Sequence, residues 1–407
     1  MIDLQSEIEI MNIKRRTFLQ TGTLASASMM LPGFMKALER PNMVPPGNRV
    51  LVVIQFSGGN DGLNTVIPVR NDIYYKERPG LGIRREKALI LSDEAGLNPS
   101  LPAFRDLYED GSLGILNGVG YPNPDRSHFR SMDIWQSGSS SNEYVNTGWI
   151  GRYLDAQCNG CDRPTQALEI DDVLSLALKG EKNKGLALRD PRRLYNSSQE
   201  NFFKDISGSH KAGGDEVDYL YKTMADTLNS ADYIFRQSRF HPSGASYPAT
   251  QTGRSLKTIA SLIFSDVNTK VYYLSLGSFD THINQQPRQQ KLFEELNDAV
   301  KAFVKDMKDN NRFQDLCMFT FSEFGRRVSQ NASGGTDHGT ANAMFFIGGS
   351  LKQKGILNGM PNLNDLMEDD MKYSVDFKNV YATVLKNWLN ADDREILGNS
   401  YHYLNFL

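Results

Sequence analysis

Apolar and polar positions along this chain alternate between two spacings. Val50-Leu51-Val52-Val53-Ile54-Gln55-Phe56 is a nearly continuous apolar run, the pattern of a strand buried on both faces of a parallel sheet. Comparable runs at Leu113–Leu116, Val271–Leu276, Leu316–Phe321 and Ala343–Ile347 predict four more strands. Between them the apolar residues recur at helical spacing, over Leu101–Glu109, His128–Gln136, Asp218–Gln237, Leu256–Phe264, Gln290–Met307 and Val380–Leu389. Strands alternating with helices predict an α/β fold, a doubly wound and mainly parallel sheet with helices on both faces. There is no internal repeat. Polar stretches at 138–143 and 196–214 read as loops, and residues near 180–250 as an insertion that loops out of the core domain.

The N-terminal end breaks this pattern. Met11-Asn12-Ile13-Lys14-Arg15-Arg16-Thr17-Phe18-Leu19-Gln20 is basic, and a short, mildly apolar segment rich in Ala, Ser, Gly and Met follows to Leu38, interrupted by Pro32. Paired arginines before such a segment predict a twin-arginine export signal over residues 1–40, hence a periplasmic or secreted protein that meets the twin-arginine translocase during export. The segment is too polar and too broken for a transmembrane span, which needs about 20 predominantly apolar residues. Residues 41–49 read as a Pro-rich linker, and residues 50–407 as a single domain.

Composition changes the picture mainly by exclusion. The 407 residues carry a formal net charge of −3, with 40% hydrophobic and 23% charged residues, which is ordinary for a globular domain. No basic stripe interleaved with aromatics is present, so nucleic acid is not an expected partner. Three cysteines are too few for a disulfide scaffold. Cys158 and Cys161 form one C-x-x-C in a Gly/Asn turn, expected as a small disulfide loop or a pair of free thiols, because a zinc knuckle needs a second pair.

The chemically capable residues fall just after the strands, at the carboxyl edge where open α/β sheets bind ligands. The first strand runs into Ser57-Gly58-Gly59-Asn60-Asp61-Gly62, the strand at 271–276 into Phe279-Asp280-Thr281-His282, and the strand at 316–321 into Ser322-Glu323-Phe324-Gly325-Arg326. Gly335-Thr336-Asp337-His338-Gly339 precedes the last strand. Two Asp/His pairs in a chain with six histidines point to a divalent ion, and carboxylate with imidazole suits zinc or manganese more than calcium. Ser127 opens the helix at 128–136. A hydroxyl there is either a plain cap or, beside free N–H groups, a nucleophile for an anionic ester. Arg126, Arg130 and Arg326 are candidates to hold the ester's oxyanions.

Taken in order, the twin-arginine leader, G-G-N-D-G, R-S-H-F, F-D-T-H, S-E-F-G-R and G-T-D-H-G resemble the bacterial family known as domain of unknown function 1501, over essentially the whole chain. That family in turn is similar to the alkaline phosphatase and sulfatase superfamily. The resemblance implies an alkaline phosphatase-like fold, Asp61 as a first-strand ligand, Ser127 as nucleophile, Asp280 and His282 on one metal, and Asp337 and His338 on another. It also implies a closing helix near Val375–Val384. Two departures stand out. The Asp280/His282 spacing is shorter than the superfamily's, and no histidine lies between Gly339 and Asp376, where a third ligand is expected; His402 is in the C-terminal tail, and Glu323 is a possible replacement.

The resulting expectation is an exported, metal-dependent hydrolase of a small-molecule or polysaccharide phosphate or sulfate ester, with one or two ions and Ser127, Arg126 and Arg326 as its catalytic set. The rival is a non-catalytic binding or assembly protein that keeps the fold with at most a structural ion. A serine esterase built on Ser127 and His128 fits poorly, since no G-x-S-x-G elbow is present.

Overall fold

The computed structural model describes residues 49–157, 164–200 and 215–407; all belong to one unit, Arg49–Leu407. The expected leader at Arg15 and Arg16, the expected linker before Arg49, and Cys158 with Cys161 lie outside the described residues. Among those described, no helix is long and apolar enough to cross a membrane.

Among the described residues, fourteen strands follow in chain order. They are β1 (Val50–Phe56), β2 (Val66–Pro68), β3 (Leu89–Ile90), β4 (Ala95–Leu97), β5 (Leu113–Gly120), β6 (Ala167–Glu169), β7 (Leu186–Ala187) and β8 (Val271–Leu276). Then come β9 (Leu316–Ser322), β10 (Asn342–Ile347), β11 (Gly355–Ile356), β12 (Leu366–Met367), β13 (Asp370–Met371) and β14 (Val375–Asp376). Nine form the central sheet in the order β11-β5-β10-β9-β1-β8-β6-β7, with β14 also on β5. All pairings in it are parallel except those of β10, which runs antiparallel to both β5 and β9. The sheet is mainly parallel, as expected, with β10 as its one antiparallel strand. The reason is local: the connection from β9 to β10 contains no helix, and without a crossover the chain can only return antiparallel.

Period-two alternation divides each central strand between two cores. Val50, Val52, Ile54 and Phe56 belong to one apolar cluster and Leu51 and Val53 to the other, because successive side chains point to opposite faces. The helices Pro102–Glu109, Gln251–Phe264 and Gln285–Asp309 cover the first face through Phe104, Ile259, Phe293 and Val300. The helices His128–Ser137, Trp149–Gln157 and Phe377–Thr383 cover the second. There Trp135 stacks on Phe321 (5.1 Å between ring centroids) and Phe377 (4.3 Å). The short strands β6 and β7, two or three residues each, are too brief to carry a readable alternation and extend the sheet beyond the five strands expected.

Register brings the functional loops to one edge. Phe56 aligns with Leu276 of β8 and with Ser322 of β9, so three parallel strands end level and their following loops emerge side by side. Antiparallel β10 begins at that same edge, with Asn342 opposite Val119 near the end of β5. Hence the segment before β10, the loop after β8 and the helix that follows β5 all converge there.

One buried acid at the sheet's far side makes the stability pH-dependent. Glu169, 2% exposed at the end of β6, accepts the Ser175 N–H at 2.7 Å. Burial pushes its carboxyl up to about 7 from an ordinary value of 4.5, against the lowering effect of the Ser175 bonds. The folded state thus holds this proton more tightly than the unfolded one, so stability present at acid pH is lost as pH rises through about 7, by up to about 3 kcal/mol. Glu169→Gln removes the titration. Its Tm relative to the natural protein is expected to rise steadily between about pH 4.5 and 8, and a difference flat with pH would contradict this.

Candidate metal centre

Three imidazoles and a carboxylate meet at the carboxyl edge. His128 comes from the first turn of the helix after β5, Asp280 and His282 from the loop after β8, and His338 from the segment before β10. Ligand atoms of His128, Asp280 and His338 all lie within 4.8 Å of one another. Asp280 Oδ1 is 3.1 Å from His282 Nε2, 3.3 Å from His338 Nε2 and 3.6 Å from His128 Nε2. The Nε2 atoms of His282 and His338 are 2.8 Å apart.

The partners of the other ring nitrogens favour one tautomer for each neutral imidazole. His338 Nδ1 donates to the backbone carbonyl of Arg126 at 2.8 Å, a partner that can only accept. His282 Nδ1 donates to Asp337 Oδ1 at 3.0 Å, and His128 Nδ1 to Glu323 Oε1 at 2.9 Å. In a neutral imidazole a protonated Nδ1 leaves Nε2 as an acceptor. With the three imidazoles neutral, three Nε2 lone pairs and a carboxylate oxygen face one another, and His128 Nε2 is buried without any hydrogen-bond partner. Such a donor-poor cluster fits a cation. Imidazoles anchored through Nδ1 by carboxylates and a carbonyl have the arrangement that orients metal-binding histidines.

Electrostatics favour ligation at Asp280 and His338. Burial raises the Asp280 carboxyl, but the hydrogen bond and charge of Arg326, helped by His338 and His282, overcome it and hold the group at about 2. Burial lowers His338, so it stays neutral and free to ligate. The hydrogen bond to Glu323 raises His128 against the opposing effect of its burial. Asp337 is lowered by its hydrogen bonds from Asn331 and His282.

The backbone is shaped for this approach. Gly58 has φ +120°, and a Cβ there would lie 2.3 Å from the Asp280 backbone nitrogen, so only glycine lets the end of β1 press against the Asp280 loop. Its N–H donates to Glu323 Oε1 at 2.8 Å, tying β1 to the carboxylate that holds His128.

Of the residues singled out from sequence, the structure gathers Asp280, His282 and His338 into the cluster. Asp337 stands behind His282 and orients it, also accepting from Asn331 at 3.1 Å. Asp61 does not face the cluster. It is 1% exposed and its oxygens are taken by Arg78 (2.6 Å), Gln285 and the Asn64 N–H (3.3 Å). Gln285 in turn accepts from Thr336 at 2.6 Å, so Asp61 braces the His338 loop from below. Arg326 is not an open anion-holder either. Its fully buried guanidinium donates to Gly59 O (2.6 Å), Gly58 O, Thr336 O (2.8 Å), Phe279 O (3.2 Å) and Asp280 Oδ1 (2.7 Å), stapling the β1, β8 and β9 loops together. Arg126 pairs with buried Asp370 and with Glu368 at 3.3 Å, and Arg130 with the carbonyls of Ser140, Ser141 and Glu143. Ser127 is exposed at the N-cap of the His128–Ser137 helix, and its hydroxyl makes no capping bond. It sits between Arg126, whose carbonyl holds His338, and His128 itself. Sequence reasoning missed His128 as a ligand, having sought a third histidine late in the chain; the signal was its place at a helix start directly after a sheet strand.

A model of the family described as "Protein of unknown function (DUF1501)" matches residues 117–400. No curated protein matches the chain in sequence. Among solved structures, the chain is similar to PsFucS1 sulfatase from Pseudoalteromonas sp., at 12% identity over 95% of this chain and 74% of that one, TM-score 0.40. It is similar to the phosphonate monoester hydrolase SpPMH from Silicibacter pomeroyi, at 8% identity over 87% and 77%, TM-score 0.40. A protein in the alkaline phosphatase superfamily from Vibrio parahaemolyticus matches at 11% identity over 86% and 69%, TM-score 0.35.

Two outcomes are expected from variants. Glu323→Gln lowers transition-metal affinity by about 10- to 100-fold in a competition titration, since the partner of His128 Nδ1 is weakened; unchanged affinity would contradict the arrangement. Asp61→Asn leaves the Arg78 charge buried and costs about 3–5 kcal/mol of stability, while at saturating metal the bound stoichiometry by elemental analysis is unaltered. Loss of the ion with no loss of stability would instead make Asp61 a ligand.

Proposed function

The chain belongs to the DUF1501 family, and we propose that it is an exported, metal-dependent hydrolase of phosphate or sulfate esters. The observation that carries this reading is the donor-poor meeting of His128, His282 and His338 Nε2 with Asp280 Oδ1. Those four residues would hold a divalent ion, zinc or manganese by the chemistry of an imidazole-rich set. Bound there, such an ion supplies Lewis-acid stabilisation of ester oxygens and lowers the pKa of a nearby hydroxyl.

The remaining work falls to this chain's own side chains. Asp337, Glu323 and the Arg126 carbonyl keep each imidazole in its Nδ1–H form and fix its aim. Arg326 holds the three loops at one spacing, so the cluster is built before substrate arrives. Ser127 is the proposed nucleophile. Its hydroxyl is exposed, uncommitted to a cap, and carried by the backbone that leads directly into His128. The leader at Arg15 and Arg16 supports export.

One observation favours a second reading, a metal-holding protein without turnover. Arg126, Arg130 and Arg326 are all engaged by internal partners, so none of the three stands free for a substrate's non-bridging oxygens. One experiment separates the two. Metal-replete protein is assayed on aryl phosphate, phosphodiester and aryl sulfate, alongside Ser127→Ala. The hydrolase reading expects turnover that falls by at least about a hundredfold in the variant, with metal content and Tm unchanged. Absence of turnover with metal bound, or a variant as active as the natural protein, overturns it.

A further inference from the structure

The stretch that leads into the His128–Ser137 helix has no regular structure of its own. Residues 121–127 are neither helix nor strand, and Pro122 and Pro124 fall among them. Side chains give the stretch its shape. The Asp125 N–H donates to the Tyr121 hydroxyl at 3.0 Å, and the Ser127 N–H to Asp125 Oδ1 at 2.7 Å. Between these two ties lies Arg126, whose carbonyl receives the His338 Nδ1 proton. The aim of that imidazole therefore depends on what holds Arg126.

The hairpin of β12 and β13 holds it. Arg126 Nε donates to Asp370 Oδ2 at 2.8 Å, and Nη2 donates to the same oxygen. Asp370 is fully buried and pairs with Met367 across the hairpin, which is a sheet separate from the central one. The carbonyl of the next residue, Met371, accepts the Thr340 hydroxyl, and its side chain packs in the cluster of Ile67, Tyr74 and Ala341. Thr340 stands two positions after His338. One hairpin is thus tied both to the segment carrying Ser127 and His128 and to the segment carrying His338. The bond from His338 to the Arg126 carbonyl closes the third side of a triangle.

The composition of the hairpin suits a clamp more than it suits ease of folding. Its turn residues Glu368 and Asp369 have φ +52° and +64°, a left-handed conformation that two-residue hairpins usually give to asparagine and glycine. Glutamate is strained there, yet its carboxylate is the one that reaches Arg126, at 3.3 Å. Being exposed, Glu368 adds little by itself. Asp370 is the firm partner, although its Oδ1 is buried without a hydrogen bond and Arg327 Nε stops 4.0 Å away. A half-satisfied buried carboxylate lowers stability relative to apolar packing; what it supplies is direction, because a charged hydrogen bond fixes a geometry that apolar contact leaves free.

We propose that Asp370 is a positioning residue of the metal centre. Through Arg126 it fixes the carbonyl that orients His338 and the backbone that carries Ser127 and His128. This rests on the metal-dependent reading above, and it takes Arg126 out of substrate binding and makes it a structural link.

The test uses the full chain, Asp370→Ala and the apolar pair Arg126→Met/Asp370→Leu. Three quantities are followed: Tm, cobalt(II) affinity by competition titration, and water exchange of the His338 ring N–H in protein with 15N-labelled histidine, the signal being identified by its loss in His338→Ala. Asp370→Ala is expected to weaken cobalt binding by about tenfold or more and to speed exchange of the ring proton. The apolar pair is expected to recover Tm, since it leaves no buried charge unpaired, but to recover neither affinity nor protection of the ring proton. A pair variant that regains all three would show a merely structural role and overturn the proposal, as would Asp370→Ala with affinity and exchange unchanged. A natural protein that takes up no cobalt would remove the metal-dependent reading, and the ring proton, which needs no ion, then decides the clamp by itself.

Discussion

The placement of three protons governs this site. Each imidazole of the cluster gives its Nδ1 hydrogen to an acceptor behind it: a backbone carbonyl for His338 and carboxylates for His282 and His128. What remains in front is a set of lone pairs aimed at one carboxylate oxygen. While the imidazoles are neutral, hydrogen bonding alone does not satisfy that set, because acceptors cannot bond to acceptors. A cation can. The loop closures, the buried arginine and the paired strands around the cluster all serve to keep those lone pairs pointed at one place.

The fold supplies the convergence through register. Three parallel strands end level, and one antiparallel strand starts where they stop. Residues from four widely separated segments reach one edge without long excursions. Arg326 then ties three of the loops through five acceptors while remaining fully buried. A charge so deeply placed is tolerated only when hydrogen-bonded throughout, and here nearly all the acceptors are the backbone of the loops it holds. Asp61 and Arg78 play the matching part beneath the His338 loop.

Much of this could be read from the sequence, for reasons that also explain the failures. The five long strands declare themselves because both faces are buried, and Asp280, His282 and His338 because histidine beside aspartate after such a strand is uncommon in a chain with six histidines. Direction within the sheet was not legible for β10, since an apolar run looks the same parallel or antiparallel. Asp61 after β1 resembles a ligand in sequence whether its carboxylate meets an ion or a buried guanidinium, and the partner that decides it, Arg78, lies 17 positions away. Likewise the arginine of S-E-F-G-R signals an anion site equally well as a backbone staple. His128 was hidden by its neighbour: the serine drew attention as a nucleophile, and the imidazole beside it completes the cluster.

The most direct measurement of the central claim is X-ray absorption spectroscopy of the zinc-loaded protein. The account predicts a first shell of nitrogen and oxygen only, with the outer-shell scattering of three imidazoles, reduced to two in His128→Ala. A spectrum showing no imidazole, or one unchanged by loss of His128, would contradict it.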